Sequence, residues 1–362
     1  GAQMPALLLP AMVALAAARA GRDASPEELR GEVRSLLRRP QAPPEPILFG
    51  REERGGLRIE RWRLRSEPGR LGEVPVLCVR KARAIAEQLP VVCVLHGTGG
   101  SKEQMSPHLQ RYAEQNYLAC AIDTRYHGER GQIHDYFVAL AAAYHANARG
   151  DTNAEHPFMY DSTWDIMRVI DWLTTRDDVA ATRIGLTGVS LGGMHAWLTA
   201  AADIRVAAVA PLIGVQGFRY ALEREVWQAR VESIKPLFDE ARRALGKDTI
   251  DSAVVEDVWK KVCPGLTDGD EVMDAPTSLP LIAPRPLLVM NGERDLRCPE
   301  AGVRQAFETA RAEYVRLGAA QNLELYFEPG GGHTVSEEMW RRVDTFFAEH
   351  LRPLAQRQEQ GE

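Results

Sequence analysis

No run of apolar residues in this chain is long enough to cross a bilayer. The most apolar stretch, Met4 to Ala20, is interrupted by Pro5 and Pro10 and falls short of the roughly 20 residues a spanning helix needs, so stable membrane insertion is not expected. There is no basic excess either. Lys and Arg number 44 against 50 Asp and Glu, a formal charge of −6, which provides no field to draw in nucleic acid or anionic lipid. Cysteine is sparse: Cys78, Cys93, Cys120, Cys263 and Cys298 form no CxxC pair. That pattern favours free thiols in a reducing compartment, with a single Cys263–Cys298 bridge as the alternative. Internal repeats and low-complexity tracts are missing. Met4 to Ala20 ends in Ala18-Arg19-Ala20, which has the small residues of a cleavage site, yet no Lys or Arg precedes it. The localisation read from this is cytoplasmic, with export if residues 4–20 are a targeting segment rather than a packed helix.

What the chain does have is the material for one large core. Its 362 residues are 45% apolar and 26% charged, and α/β proteins often hold this much chain around one sheet. Residues 1–50 read as an N-terminal helical and extended segment. Within it Ser25 caps a helix over 23–39, Pro26 occupies its first turn, Glu28 stands three residues after the cap, and Pro40, Pro43, Pro44 and Pro46 make an extended connector. Residues 51–362 read as an α/β domain. Leu57 to Arg65 alternates apolar with charged residues and Val74 to Lys81 follows as a second strand, an antiparallel opening.

From Leu89 the strands become continuous apolar runs alternating with helices: Val91 to Leu95, Leu118 to Ile122, Ile184 to Thr187, Val206 to Ala210, Pro286 to Met290 and Leu323 to Phe327. Runs apolar on both faces belong in a mainly parallel sheet flanked by helices. Ligands bind at the carboxyl ends of such strands, so the chemistry belongs on the turns that follow them. Two intervals are longer than a crossover requires, 126–160 and 214–280. The second, with helical stretches around Arg219 to Ala244 and Val254 to Val262, reads as a helical cap insertion. Trp227, Trp259 and Phe218 read as its core, with a pocket-lining role as the sharper alternative.

Gly188-Val189-Ser190-Leu191-Gly192 follows one of these strands and precedes a helix-competent segment. A nucleophile on a sharp strand-to-helix turn needs glycines on either side, where a Cβ would clash, and the helix start offers free N–H groups to a developing oxyanion. Serine is a weak nucleophile unless a base takes its proton and a carboxylate orients the base. Asp295 lies in Asn291-Gly292-Glu293-Arg294-Asp295 after the Pro286 to Met290 strand, and His333 lies in Gly330-Gly331-Gly332-His333 after Leu323 to Phe327. Glu293 is the rival acid. For the oxyanion, one donor is the Leu191 N–H and the other the N–H of Thr98, in His96-Gly97-Thr98-Gly99-Gly100, with Gly99 as second choice. His96 and His195 read as packing residues. A metal site from His127, His134, His145 and His156 lacks the spacing of a ligand pair on a helix.

His96-Gly97-Thr98-Gly99-Gly100-Ser101-Lys102-Glu103, Asp123-Thr124-Arg125-Tyr126-His127-Gly128-Glu129-Arg130 and Gly188-Val189-Ser190-Leu191-Gly192-Gly193 together resemble α/β-hydrolases of the dienelactone-hydrolase and prolyl-oligopeptidase-like esterase group, with acetyl-xylan-esterase-like enzymes as neighbours. The resemblance covers residues from about 55 to 350. It implies an α/β-hydrolase fold with an eight-stranded, mainly parallel sheet, Ser190, Asp295 and His333 as triad, and Leu191 and Thr98 as oxyanion donors. Asp123, Arg125, His127 and Arg130 are structural by the same likeness. Dienelactone hydrolases of this type use a cysteine nucleophile, whereas here a serine stands, and the residues before 90 are too few for the propeller of the related peptidases. The function expected is a serine hydrolase that cleaves carboxylic esters through an acyl-enzyme on Ser190, acting on a small-molecule ester, with no metal or organic cofactor and no signal for oligomeric state. The alternatives are an α/β-hydrolase-fold ligand-binding protein with little or no catalysis, and a peptidase of the prolyl-oligopeptidase-like group.

Overall fold

A computed structural model describes residues 24–83, 87–269 and 271–351; the apolar stretch Met4 to Ala20 lies outside the described residues. The chain opens with helix α1 (Pro26–Leu37), where Ser25 and Glu28 form a reciprocal capping box. Leu29, Val33 and Leu37 are buried, while Arg34 Nε donates to the Ala202 carbonyl at 2.6 Å and Arg30 Nη2 to the Leu281 carbonyl at 2.8 Å. The N-terminal helix is thus docked on the domain by an apolar stripe and two long side chains.

Strands β1 (Ile47–Arg54), β2 (Leu57–Arg65) and β3 (Glu73–Lys81) form an antiparallel ribbon. Then come β4 (Leu89–Leu95), α2 (Ser106–Glu114), β5 (Leu118–Ile122), α3 (Ile133–Ala148), α4 (Tyr160–Leu173), β6 (Val179–Val189), α5 (Leu191–Ala202) and β7 (Val206–Leu212). Helices α6 (Phe218–Glu223), α7 (Gln228–Ser233), α8 (Lys235–Ala244), α9 (Ser252–Val262) and α10 (Ala275–Ser278) lead to β8 (Leu287–Gly292), α11 (Glu300–Arg316), β9 (Leu323–Glu328) and α12 (Glu337–Leu351).

The strands join one sheet in the order β1-β2-β3-β5-β4-β6-β7-β8-β9, parallel from β5 onward. This is nine strands, not eight. The additional strand is β1, whose sequence ILFGREER is mostly exposed at the sheet edge. With no face to bury it carries no alternation, and its pairing is fixed by the tight turn at Gly55 and Gly56, both at positive φ, which sets Arg54 opposite Leu57. It also crosses residue 50, so the sheet begins before residue 51.

Every residue of β4 is buried, as a central parallel strand requires. Val91, Cys93 and Leu95 join the apolar core that includes α1, α4, α5 and α11, while Val92 and Val94 join the core under α2 and α12. Cys78 and Cys120 face each other across β3 and β5, with Sγ atoms 3.3 Å apart. All five cysteines are free and buried, so no Cys263–Cys298 bridge exists.

The two long intervals pack together as one helical layer. Tyr144 on α3 donates to Asp257 on α9 at 2.7 Å, and His145 bonds Glu240 on α8 at 2.8 Å. Trp259 is the hub, with the rings of Phe158, Phe218 and Phe238 at 5.1–5.4 Å; Trp227 packs partly buried at its margin and bonds Ser252 at 3.2 Å. No helix among the described residues is long and apolar enough to cross a membrane.

Candidate active site

Strand β6 ends at Val189, and α5 begins at Leu191. Between them Ser190 adopts φ 54° and ψ −109°, a left-handed conformation that costs a non-glycine residue about 1–3 kcal/mol. The surrounding sequence enforces it. A Cβ on Gly188 would sit 2.6 Å from the backbone of Gly192, and a Cβ on Gly192 would sit 2.3 Å from the Leu95 carbonyl oxygen. Glycine at both places lets the turn close against β4. The Ser190 N–H donates to the Leu212 carbonyl at 2.9 Å, anchoring the turn to β7, and the Ser190 carbonyl accepts from Met194 at 2.9 Å, starting the helix. Leu191 occupies the first turn of α5, where backbone N–H groups have no intrahelical acceptor and the helix dipole is positive.

The turns after β8 and β9 bring Asp295 and His333 to this elbow. Ser190 Oγ lies 2.8 Å from His333 Nε2, and His333 Nδ1 lies 2.7 Å from Asp295 Oδ2. The other oxygen of Asp295 accepts from the N–H groups of Arg297 at 2.8 Å and Cys298 at 3.1 Å. Burial works to raise the Asp295 carboxyl, but its bond to His333, the imidazole charge and the two backbone donors outweigh it, leaving the group below the ordinary carboxylate range. Glu293 points elsewhere: its Oε2 accepts from the Gly330 N–H at 2.7 Å, bracing the loop that carries His333. The backbone donors to Asp295 leave no signature in residue type, so sequence reasoning had no means to find them.

The turn after β4 lies against the elbow. A Cβ on Gly97 would be 3.2 Å from the Val189 carbonyl oxygen and 3.8 Å from Ser190 Cβ. Gly100 N–H donates to the Gly97 carbonyl at 3.0 Å, closing the turn with Thr98 exposed at its tip. His96 is fully buried beneath it, with Nδ1 2.8 Å from the Gly97 oxygen and Nε2 accepting from the Thr124 N–H at 3.2 Å. His195 is buried in α5.

The segment 123–130 is a buried ion network rather than an open lining. Arg125 makes a fork to both oxygens of Asp165 at 2.8 and 3.0 Å and a third bond to Glu67 at 2.8 Å. Arg130 adds a bond to Asp165 at 2.7 Å, and Lys102 bridges Asp123 at 2.8 Å and Glu129 at 2.5 Å. His127 bonds the Arg125 carbonyl at 2.7 Å, His145 bonds Glu240 at 2.8 Å, His156 bonds the Val262 carbonyl at 3.0 Å and His134 is exposed, so these four histidines serve separate places. Among the described residues the one grouping of metal-donor atoms is Asp295, Cys298 and His333. It fits a metal poorly, because Asp295 and His333 are bonded to each other and the Arg230 guanidinium stands 3.4 Å from Cys298 Sγ.

Residues 91–345 match the family described as the alpha/beta hydrolase family, a match that spans well over half of the chain and contains the elbow, Asp295 and His333. The chain belongs to the alpha/beta hydrolase family. It is 30% identical over 152 residues to Uncharacterized protein YcjY of Escherichia coli (strain K12), a match covering 41% of this chain and 42% of that one; the chain thus matches less than half the length of this relative. Among solved structures it is similar to an acetyl xylan esterase from Paenibacillus sp. R4, with TM-score 0.63, 17% identity and coverage of 89% of this chain and 93% of that one. Acetyl Xylan Esterase 1 from Thermoanaerobacterium sp. JW/SL YS485 aligns with TM-score 0.62 and 15% identity over 90% of this chain and 94% of its own. At such identities the likeness is one of fold.

Proposed function

We propose that this alpha/beta hydrolase is a serine esterase in which Ser190 is the nucleophile, His333 the base and Asp295 its orienting acid. The observation that carries the reading is the unbroken hydrogen-bonded line from hydroxyl to imidazole to carboxylate, 2.8 and 2.7 Å long, at the ends of three strands. Asp295 fixes the proton on Nδ1, so Nε2 presents a lone pair to Ser190. As the hydroxyl attacks the ester carbonyl its proton passes to Nε2, and the imidazolium that forms is held by the Asp295 carboxylate. The carbonyl oxygen becomes an oxyanion that accepts from the N–H groups of Leu191 and Thr98, each donor of this kind contributing about 3 kcal/mol in the transition state. Collapse of the tetrahedral intermediate breaks the ester bond, with His333 returning its proton to the departing alkoxide and the acyl group left on Ser190. Water, deprotonated by the same imidazole, then releases the acid.

Two fold neighbours named above are esterases, which makes an ester the first substrate to test. Folded Ser190→Ala should lose at least about a thousandfold in kcat/KM on a short p-nitrophenyl ester, and a fluorophosphonate should label the parent chain but not the variant. Turnover by the variant near the parent rate would refute the assignment.

A further inference from the structure

Among the described residues, the buried arginines differ in what receives their guanidinium groups. Arg125 has Asp165 and Glu67, and Arg30 has the Glu27 carboxylate at 2.7 Å with the Leu281 carbonyl. Arg285, without a carboxylate, donates to the carbonyls of Ala200, Leu281, Ile282, Asp203 and Val206. Arg230, on α7, is only 5% exposed, yet no carboxylate among the described residues pairs with it. Its Nη2 meets the Arg297 carbonyl at 3.3 Å and Cys298 Sγ at 3.4 Å, both long, and its Nε reaches the Gln216 amide oxygen at 3.0 Å once that amide is turned to receive it. A buried cation with no anion bonded to it is costly to keep.

The position of this cation is specific. Cys298 Sγ, which touches Arg230, also meets the Ile213 carbonyl at 3.4 Å, and Ile213 directly follows Leu212, the residue that anchors Ser190. Cys298 N–H in turn holds Asp295. Asp295 acts on Arg230 through space but is not bonded to it, since one oxygen is bonded to His333 and the other accepts two backbone donors. A second group also lacks a partner. Among the described residues the hydroxyl of Tyr136 on α3 is buried with no partner; its ring is tilted against that of His127 with centroids 4.6 Å apart, and His127 lies 5.2 Å from His96 at the root of the turn that carries Thr98. Both long intervals thus place a donor behind a loop of the elbow, Arg230 against Cys298 and Tyr136 against His127.

We propose that Arg230, assisted by Tyr136 Oη, is an anion-recognition subsite next to Ser190, and that the substrates are small esters bearing a free carboxylate. The proposal rests on the esterase reading for its chemistry but not for its binding site. The substrate's carboxylate supplies the counter-charge that the protein itself withholds, and it does so in the step where His333 becomes cationic and a further positive charge nearby is most unfavourable.

The test compares near-isosteric pairs: p-nitrophenyl hemisuccinate against p-nitrophenyl butyrate for a carboxylate on the acyl side, and O-acetylglycolate against propyl acetate for one on the alcohol side. In the parent chain one anionic ester should exceed its neutral partner at least about tenfold in kcat/KM, chiefly through KM. Arg230→Gln should shrink that ratio at least about tenfold, Arg230→Lys should restore part of it, and Tyr136→Phe should shrink it less. Equal rates within both pairs in the parent chain would overturn the subsite even if no Arg230 variant folds. Calorimetric binding of monomethyl succinate and of O-acetylglycolate to Ser190→Ala separates the two readings. Binding lost in Ser190→Ala/Arg230→Gln, in a chain that turns over no ester, keeps the anion site and removes the esterase; turnover without anion preference or binding does the reverse.

Discussion

Ser190 is held in a backbone conformation that its side chain does not favour, and the strain is sustained by Gly188 and Gly192 closing on Leu95 and by the bond from Ser190 N–H to Leu212. These residues were legible in the sequence because G-x-S-x-G between a buried strand and a helix has few other physical uses. Asp295 and His333 were legible as candidates because each stands in the turn after an apolar run that forms a strand of the parallel sheet. Of the two acids it is Asp295 that bonds the imidazole, held there by the Arg297 and Cys298 N–H donors, which are backbone atoms invisible to residue type. Asp295→Asn tests the acid: an amide nitrogen facing His333 favours the wrong tautomer, and an amide nitrogen turned instead to the Arg297 and Cys298 N–H groups leaves both donors without an acceptor. The expected outcome is a fall in kcat of about 10³–10⁴ with the thermal midpoint little changed, read by ester turnover alongside circular dichroism.

At the scale of elements, the loops around the elbow are stacked on charge. Asp165, on α4, receives Arg125, Arg130 and the Ser66 hydroxyl. Burial raises its carboxyl, but the two guanidinium groups and these bonds override it and bring the group down to about 2. Breaking a buried pair from one side strands the other charge, so Asp165→Asn should destabilise the fold by about 3–5 kcal/mol, measured by urea unfolding. The sequence pointed to a structural role for Arg125 and Arg130 but not to Asp165 or Glu67 as partners, which lie on other elements. Likewise β1 was missed because an edge strand with both faces in water carries no period-two pattern, and Arg230 was passed over because one arginine in a charged helical interval looks like a solvated residue until its neighbours are known.

For the molecule as a whole, buried histidines weaken the fold toward acid pH, while buried carboxyls such as Asp274, pushed up to about 7 by burial, act in the opposite sense. Burial lowers His127 to about 4 and His195 to about 3, against an ordinary value of 6.5. Between those values the unfolded chain binds protons that the folded chain refuses at these two sites, so the stability they contribute falls as pH drops from about 6.5 toward 4. Asp165 adds to this only at lower pH, because the stability it contributes is present above its ordinary value of 3.8 and is lost as pH falls toward 2. Because the histidines and the raised carboxyls act in opposite senses, the variant comparison isolates the histidine: as pH is taken from 7 down to 4, the calorimetric midpoint of His195→Asn should rise relative to that of the parent chain.

The esterase reading itself predicts an acyl group carried on one serine. During steady-state turnover of p-nitrophenyl acetate, an acid quench followed by peptide mass mapping should find an acetyl group on the peptide containing Ser190, and none in Ser190→Ala. Steady turnover with Ser190 unmodified, and a folded Ser190→Ala that still releases p-nitrophenol at the parent rate, would contradict it.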